Sequence, residues 1–259
     1  MMLRRRWLPL LLALALTGPA WPGGPCQESP LPPAEVARAA AVAHAAFEHL
    51  EASGADLAII ARSGSDLRRH GLRYSHGGLV MREHERGPWT VVHLLNHCAS
   101  SRSELFEEGL VNFFAAGLFA LDAVILVPEA TLQQGLLGLV RNGAVDRLHD
   151  PRYNRIAHPM SARFQNSNQW LLESIAIALA DGTATRRSAQ QYLAAAGYEG
   201  DRIRIGRFQR VVGGLTRDNL NFGDHPLGAR IEGRYQVVTV RSLRTFLAER
   251  DLLAAVIEF

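Results

Sequence analysis

The chain has 259 residues and 47% hydrophobic content, enough for one large domain or two small ones with a real core, which excludes disorder, collagen and coiled coil. It carries 28 basic and 25 acidic residues; three of the basic ones, Arg4, Arg5 and Arg6, fall in a targeting segment and the rest balance, so no nucleic-acid partner is expected. Every basic residue is Arg, so a Schiff-base Lys, a Lys nucleophile and a phosphate-loop Lys are all excluded, and no cofactor is expected.

Arg4 to Arg6 and the apolar run after them have the charged and hydrophobic regions of a secretory signal, and the run is too short to span a membrane. Residues 1–20 are read as a signal peptide cleaved near Ala20, which places the protein in the periplasm with no transmembrane span in the mature chain. A lipidated Cys26 is disfavoured, because Gly23-Gly24-Pro25 does not resemble a lipobox. Residues 21–33 form a Pro/Gly-rich spacer and 34–259 a single domain. After export, Cys26 and Cys98 either pair as a disulfide or sit as small buried hydrophobes, and the sequence leaves both open.

Within the domain, helical spacing of Val36, Ala40, Phe47 and Leu50 predicts a helix over 35–50. A short buried strand follows at 57–61, then strands at 74–81 and 89–95 around the charged turn 82–88. A helix is predicted from Ser103, with Phe106-Glu107-Glu108 in its first turn and Leu105, Leu110, Phe113 and Phe114 on its apolar face. A strand over 121–127 stops at Pro128, and a helix over 131–140 ends at Asn142-Gly143. The irregular stretch 146–164 precedes the most helical run, 168–179. A short helix to Ala196, strands around Ile203 and at 237–240, and a final helix bearing Phe246 and Leu247 complete the chain.

Two histidines sit at the centres of apolar strands: His76 in Tyr74-Ser75-His76-Gly77-Gly78-Leu79-Val80 and His93 in Val91-Val92-His93-Leu94. Buried imidazoles need both nitrogens satisfied, and two on successive strands of a hairpin point to a site. Asn166-Ser167 stands where the irregular stretch becomes a helix, a position that suits an N-cap and equally a hydroxyl nucleophile beside free backbone N–H groups.

The run Asn166-Ser167-Asn168-Gln169-Trp170-Leu171 resembles the Asp-Cys-Ser-Gly-Phe-Val signature of NlpC-type peptidoglycan peptidases, papain-like enzymes whose Cys opens a helix. Here the histidine strands come first, an order that resembles the circularly permuted branch that includes lecithin:retinol acyltransferase. Arg152-Tyr153-Asn154, the run from Phe164 to Trp170 and Phe222-Gly223-Asp224-His225-Pro226 also resemble an uncharacterised bacterial family, domain of unknown function 2145. The resemblance implies an α+β, circularly permuted papain-like fold with an antiparallel sheet packed on the Ser167 helix. It implies Ser167 at the nucleophile position, His76 as base, His93 as the group orienting it and Tyr153 beside the oxyanion site. Peptidoglycan, a peptide or a lipid would be the ligand. Ser stands where the branch has Cys, so two readings stay open: a working Ser-His-His hydrolase or acyltransferase, or a degenerate binding module. A metal reading through His93, His97 and Cys98, and Cys98 as an alternative nucleophile, are weaker: no acidic cluster completes the first, and Cys98 precedes the predicted helix by several residues.

Overall fold

The computed structural model describes residues 31–97, 100–180, 183–216 and 218–259, with the side chains of 214–216 left aside. The signal segment, Cys26 and Cys98 lie outside the described residues. The chain opens with helix α1 (Pro33–Ser53), whose first position is taken by Pro33, a residue with no N–H to leave unpaired there. The helix thus takes in the last residue of the predicted spacer.

Strands β1 (Leu57–Arg62), β2 (His76–Met81), β3 (Thr90–Asn96) and β4 (Ser103–Glu108) form an antiparallel meander. Helix α2 (Leu110–Ala115) leads to β5 (Ala123–Pro128), which pairs with the far side of β1. Helices α3 (Ala130–Arg141), α4 (Ala144–Arg147), α5 (Ser167–Leu179) and α6 (Arg186–Ala195) follow. A smaller layer holds β6 (Asp201–Arg204), α7 (Arg207–Thr216), α8 (Leu227–Glu232) and β7 (Arg234–Val237), with β6 and β7 paired antiparallel. Helix α9 (Val240–Ala248) and β8 (Leu253–Glu258) close the chain, β8 pairing with β5. The main sheet therefore has six strands in the order β4-β3-β2-β1-β5-β8, and the architecture is α+β.

Strands β1, β2 and β5 are buried along their whole length because both faces of the sheet are covered. Ala58, Ile60, Val80 and Val91 face α1 and α2, while Leu57, Ile59, Leu79 and Val92 face the layer of α3, α5 and α9.

The helix predicted from Ser103 is corrected: 103–108 is an edge strand and the helix begins at Leu110. Glutamates suit a first helical turn, but pairing with β3 overrides that propensity, and charged side chains are what an exposed sheet edge tolerates. The strand expected at 237–240 ends at Val237, since Thr239 caps α9 through the Ser242 N–H. Helices α4, α7 and α8 and strand β8 were not legible from the pattern.

Helix α5 is buried nearly all round, which fixes where its first residue points. Its Trp170 donates from Nε1 to the Val145 carbonyl at 3.0 Å. Fully buried Glu173 accepts from Gln165 Nε2 at 2.6 Å, Arg186 Nε at 2.8 Å and Gln190 Nε2 at 2.8 Å, tying the loop that delivers Ser167 to α5 and α6. Burial pushes the Glu173 carboxyl up, against the pull of Arg186. Glu173→Ala would strand the mostly buried Arg186 guanidinium and should cost about 3–5 kcal/mol in urea unfolding, with Glu173→Gln milder. A loss for Glu173→Ala no larger than that of an exposed control would refute the anchoring role.

Candidate active site

Three consecutive hydrogen bonds link four side chains from four elements. Ser167 Oγ lies 3.1 Å from His76 Nδ1, His76 Nε2 lies 2.8 Å from His93 Nδ1, and His93 Nε2 lies 3.1 Å from Glu108 Oε2. Local sequence explains each placement. His76 opens β2 and faces the start of α5; His93 lies mid-strand on β3; Glu108 ends β4 directly opposite Val91, so it reaches His93 on the diagonal of the same face. Ser167 and both histidines are buried, His93 completely.

The ionised Glu108 is an acceptor only and therefore sets the tautomers. Accepting a hydrogen bond from His93 Nε2–H leaves His93 Nδ1 as acceptor for His76 Nε2–H, and His76 Nδ1 is then free to accept from the Ser167 hydroxyl. Both imidazoles stay neutral with every ring nitrogen engaged. The hydrogen bond from His93 holds the Glu108 carboxyl below the usual carboxylate range despite its partial burial. Burial, then the Arg62 charge, then His93, hold His76 well below the ordinary imidazole value. Burial also lowers His93, opposed by Glu108.

Arg62 ends β1 in register with His76 and is itself buried. Its guanidinium donates to the Gly117 carbonyl and lies 5.1 Å from the centre of the Phe113 ring, which also packs against both imidazoles. Burial brings its pKa down to about 10, with Glu108 pulling the other way.

At the start of α5 the Asn166 side chain caps the Gln169 N–H at 2.9 Å. Asn166 is thus the cap, and Ser167 is the first helical residue. The backbone N–H groups of Ser167 and Asn168 have no acceptor within the helix and sit at the positive end of its dipole, a setting able to hold an oxyanion. Ser167 opens onto a cleft of about 920 Å³ whose lining includes Arg62, Asn166, Tyr153, Ile203, Val212 and Phe222.

The structure brings together Ser167, His76 and His93 and places Tyr153 on the wall of the same cleft. Burial raises the Tyr153 phenol. His97 is not drawn in: it pairs with Glu104 at 3.1 Å at the exposed end of β3. Among the described residues no cluster of metal-ligating side chains forms. Sequence reading missed Glu108 and Arg62. The first was hidden by its apparent place in a helix; the only signal was a carboxylate preceding Gly109 on a segment able to pair with the His93 strand.

The His76 to His93 contact depends on glycine. A Cβ at Gly78 would lie 2.8 Å from His93 Cβ, Val91 Cγ1 and the Val92 carbonyl oxygen. Gly78→Ala should therefore push β3 away and break the central bond of the chain, at a cost of about 1–3 kcal/mol in stability. Imidazole nitrogen shifts in NMR should report loss of the His76 to His93 hydrogen bond, and unchanged shifts would refute this account.

No curated protein and no solved structure matches the chain. A family model described as "uncharacterized protein conserved in bacteria" matches residues 49–247, a span that contains Arg62, His76, His93, Glu108, Tyr153 and Ser167. The match takes in well over half of the chain, from the end of α1 into α9, and on that extent the chain belongs to domain of unknown function 2145.

Proposed function

We propose that the protein is a serine-dependent acyl-transfer enzyme, hydrolysing or transferring an amide or ester acyl group, on a circularly permuted papain-like fold related to the NlpC type. The observation that carries this reading is the unbroken path from Glu108 through His93 and His76 to the Ser167 hydroxyl. Ser167 Oγ attacks the acyl carbonyl as His76 Nδ1 takes its proton, and the oxyanion settles on the Ser167 and Asn168 N–H groups. Collapse returns the proton from His76 to the leaving group and leaves an acyl-Ser167 ester. Water or an acceptor alcohol or amine then releases the acyl group by the reverse path. His93 and Glu108 hold His76 in the tautomer and orientation that leave its Nδ1 facing the Ser167 hydroxyl. Peptidoglycan, a peptide or a lipid ester are the substrate classes that go with the fold reading. Export through the N-terminal segment belongs to the same proposal.

A second reading, a binding module with a lost nucleophile, is favoured by one observation: burial and Arg62 make His76 a weak base, and a hydroxyl needs a stronger one than a thiol does. A fluorophosphonate probe on the purified chain decides between them. An enzyme should label at Ser167, Ser167→Ala should lose about three orders of magnitude or more in turnover, and Ser167→Cys should retain or gain activity on activated esters. Glu108→Gln should cost on the order of a hundredfold in kcat. Inertness of the wild type and of Ser167→Cys across ester and amide panels would leave the binding module.

The pH profile follows from the same geometry. His76 works only when neutral, and its pKa lies below the ordinary 6.5. Activity should therefore be flat across neutral pH and fall only as acid protonates His76. Arg62→Gln removes a repelling charge, raises the His76 pKa and should move that acid limb to higher pH. The stability sign agrees: the unfolded chain binds this proton first, so the contribution of His76 is full above about 6.5 and declines as pH drops through its folded pKa. An acid limb unmoved in Arg62→Gln would contradict the assignment.

A further inference from the structure

The charge of the chain is unevenly placed. Between residues 202 and 234 there are seven arginines and three acids, an excess of four, against a net charge of +3 for the whole sequence. Of those acids, one is paired with a neighbouring arginine and one is turned onto neutral donors. Glu232 pairs with Arg234 at 3.6 Å, and Asp224 is engaged with the Ser161 hydroxyl and the His158 N–H. Asp218 lies beyond the end of α7.

The most exposed large apolar side chains of the described residues occupy the same segment. Phe208 is 80% exposed, Ile231 68%, Leu227 66% and Val211 62%. They project from α7 and α8 at helical spacings, and Arg210 bridges the two helices by donating to the Arg230 carbonyl. Isolated exposed apolar residues are ordinary; four large ones on two adjoining short helices, interleaved with Arg204, Arg207 and Arg230, are not.

We propose that the α7–α8 face is a docking surface for an anionic lipid bilayer. An amphipathic helix with Phe and Val on one side and Arg on the other lies in the interface, its apolar side in the acyl boundary and its guanidinium groups on anionic headgroups. The charge excess selects an anionic surface over a neutral one. Phe208 and Val212 also line the cleft that holds Ser167, so docking brings the cleft mouth to the membrane. The surface does not rest on Ser167 being a nucleophile.

Flotation of the full chain with vesicles of equal parts phosphatidylglycerol and phosphatidylcholine tests it. The wild type should bind these vesicles, bind pure phosphatidylcholine about tenfold more weakly or worse, and be released by salt. Phe208→Asp with Ile231→Asp, and separately Arg204→Glu with Arg207→Glu, should each reduce binding about tenfold, with unchanged thermal midpoints because all four side chains are exposed. Ser167→Ala should bind like wild type, which separates this surface from the acyl-transfer reading. Absence of binding to the anionic vesicles, or binding indifferent to both variant pairs, would overturn the proposal. So would a concentration-dependent dimer dispersed by Phe208→Asp, which would make a second copy the occupant.

Discussion

Two imidazoles buried on neighbouring strands impose the constraint on which the rest of the site depends. Both rings are buried, and each ring nitrogen left unpaired there costs about 1–3 kcal/mol. A neutral imidazole offers one donor and one acceptor, so a pair of them can be satisfied only by a directional chain with an acceptor at one end and a hydroxyl at the other. Glu108 is that acceptor and Ser167 that hydroxyl. Reversing the direction would require Glu108 to be protonated, which its lowered pKa opposes. Direction is therefore set at the edge of the sheet and read out at the helix start.

Holding that chain in place recruits parts of the fold with no contact to Ser167. Gly78 lets β2 and β3 approach closely enough for a 2.8 Å bond between the imidazoles. The Glu173 and Arg186 network fixes the loop that ends at Asn166, and with it the first turn of α5. Phe113 packs under both rings and under Arg62, excluding water from one side of the path. Errors of an ångström at a reacting group can cost a hundredfold in rate, which is the scale on which such supports matter.

The central strands were legible because a strand buried on both faces must be almost wholly apolar, and Leu57 to Ala61, Leu79 to Met81 and, apart from His93, Val91 to Leu95 have that composition. His76 and His93 stood out against it, and helix α5 announced itself by a cap and a long apolar run. The edge was not legible. Ser103 to Glu108 carries no strand pattern of its own and takes its conformation from β3, so the reading that made it a helix also removed Glu108 from view. Helices α7 and α8 were missed for a related reason: Gly213 and Gly214 end one apolar pattern early, Pro226 and Gly228 interrupt the other, and α8 buries no side chain that would impose a period.

The serine changes what the surroundings have to supply. A thiol beside an imidazole needs little help to become a thiolate, and a base weakened by burial is then no handicap. A hydroxyl transfers its proton only as it attacks, so the proposed acyl transfer would require the cation formed on His76 to be stabilised at that moment, and the buried Arg62 nearby opposes it. Glu108 is the anion of the site, hydrogen-bonded to His93, which in turn meets His76, and it also draws on Arg62. Burial and the fixed Arg62 cation thus act on His76 directly, while the Glu108 anion acts on its neighbours His93 and Arg62. At an effective dielectric near 20, each charge contributes up to about 4 kcal/mol at contact distance and less through an intervening ring. On the acyl-transfer proposal, Arg62 and Glu108 are consequently the fixed charges nearest the path to the Ser167 hydroxyl, one acting on His76 and the other on His93, and neither is hydrogen-bonded to it.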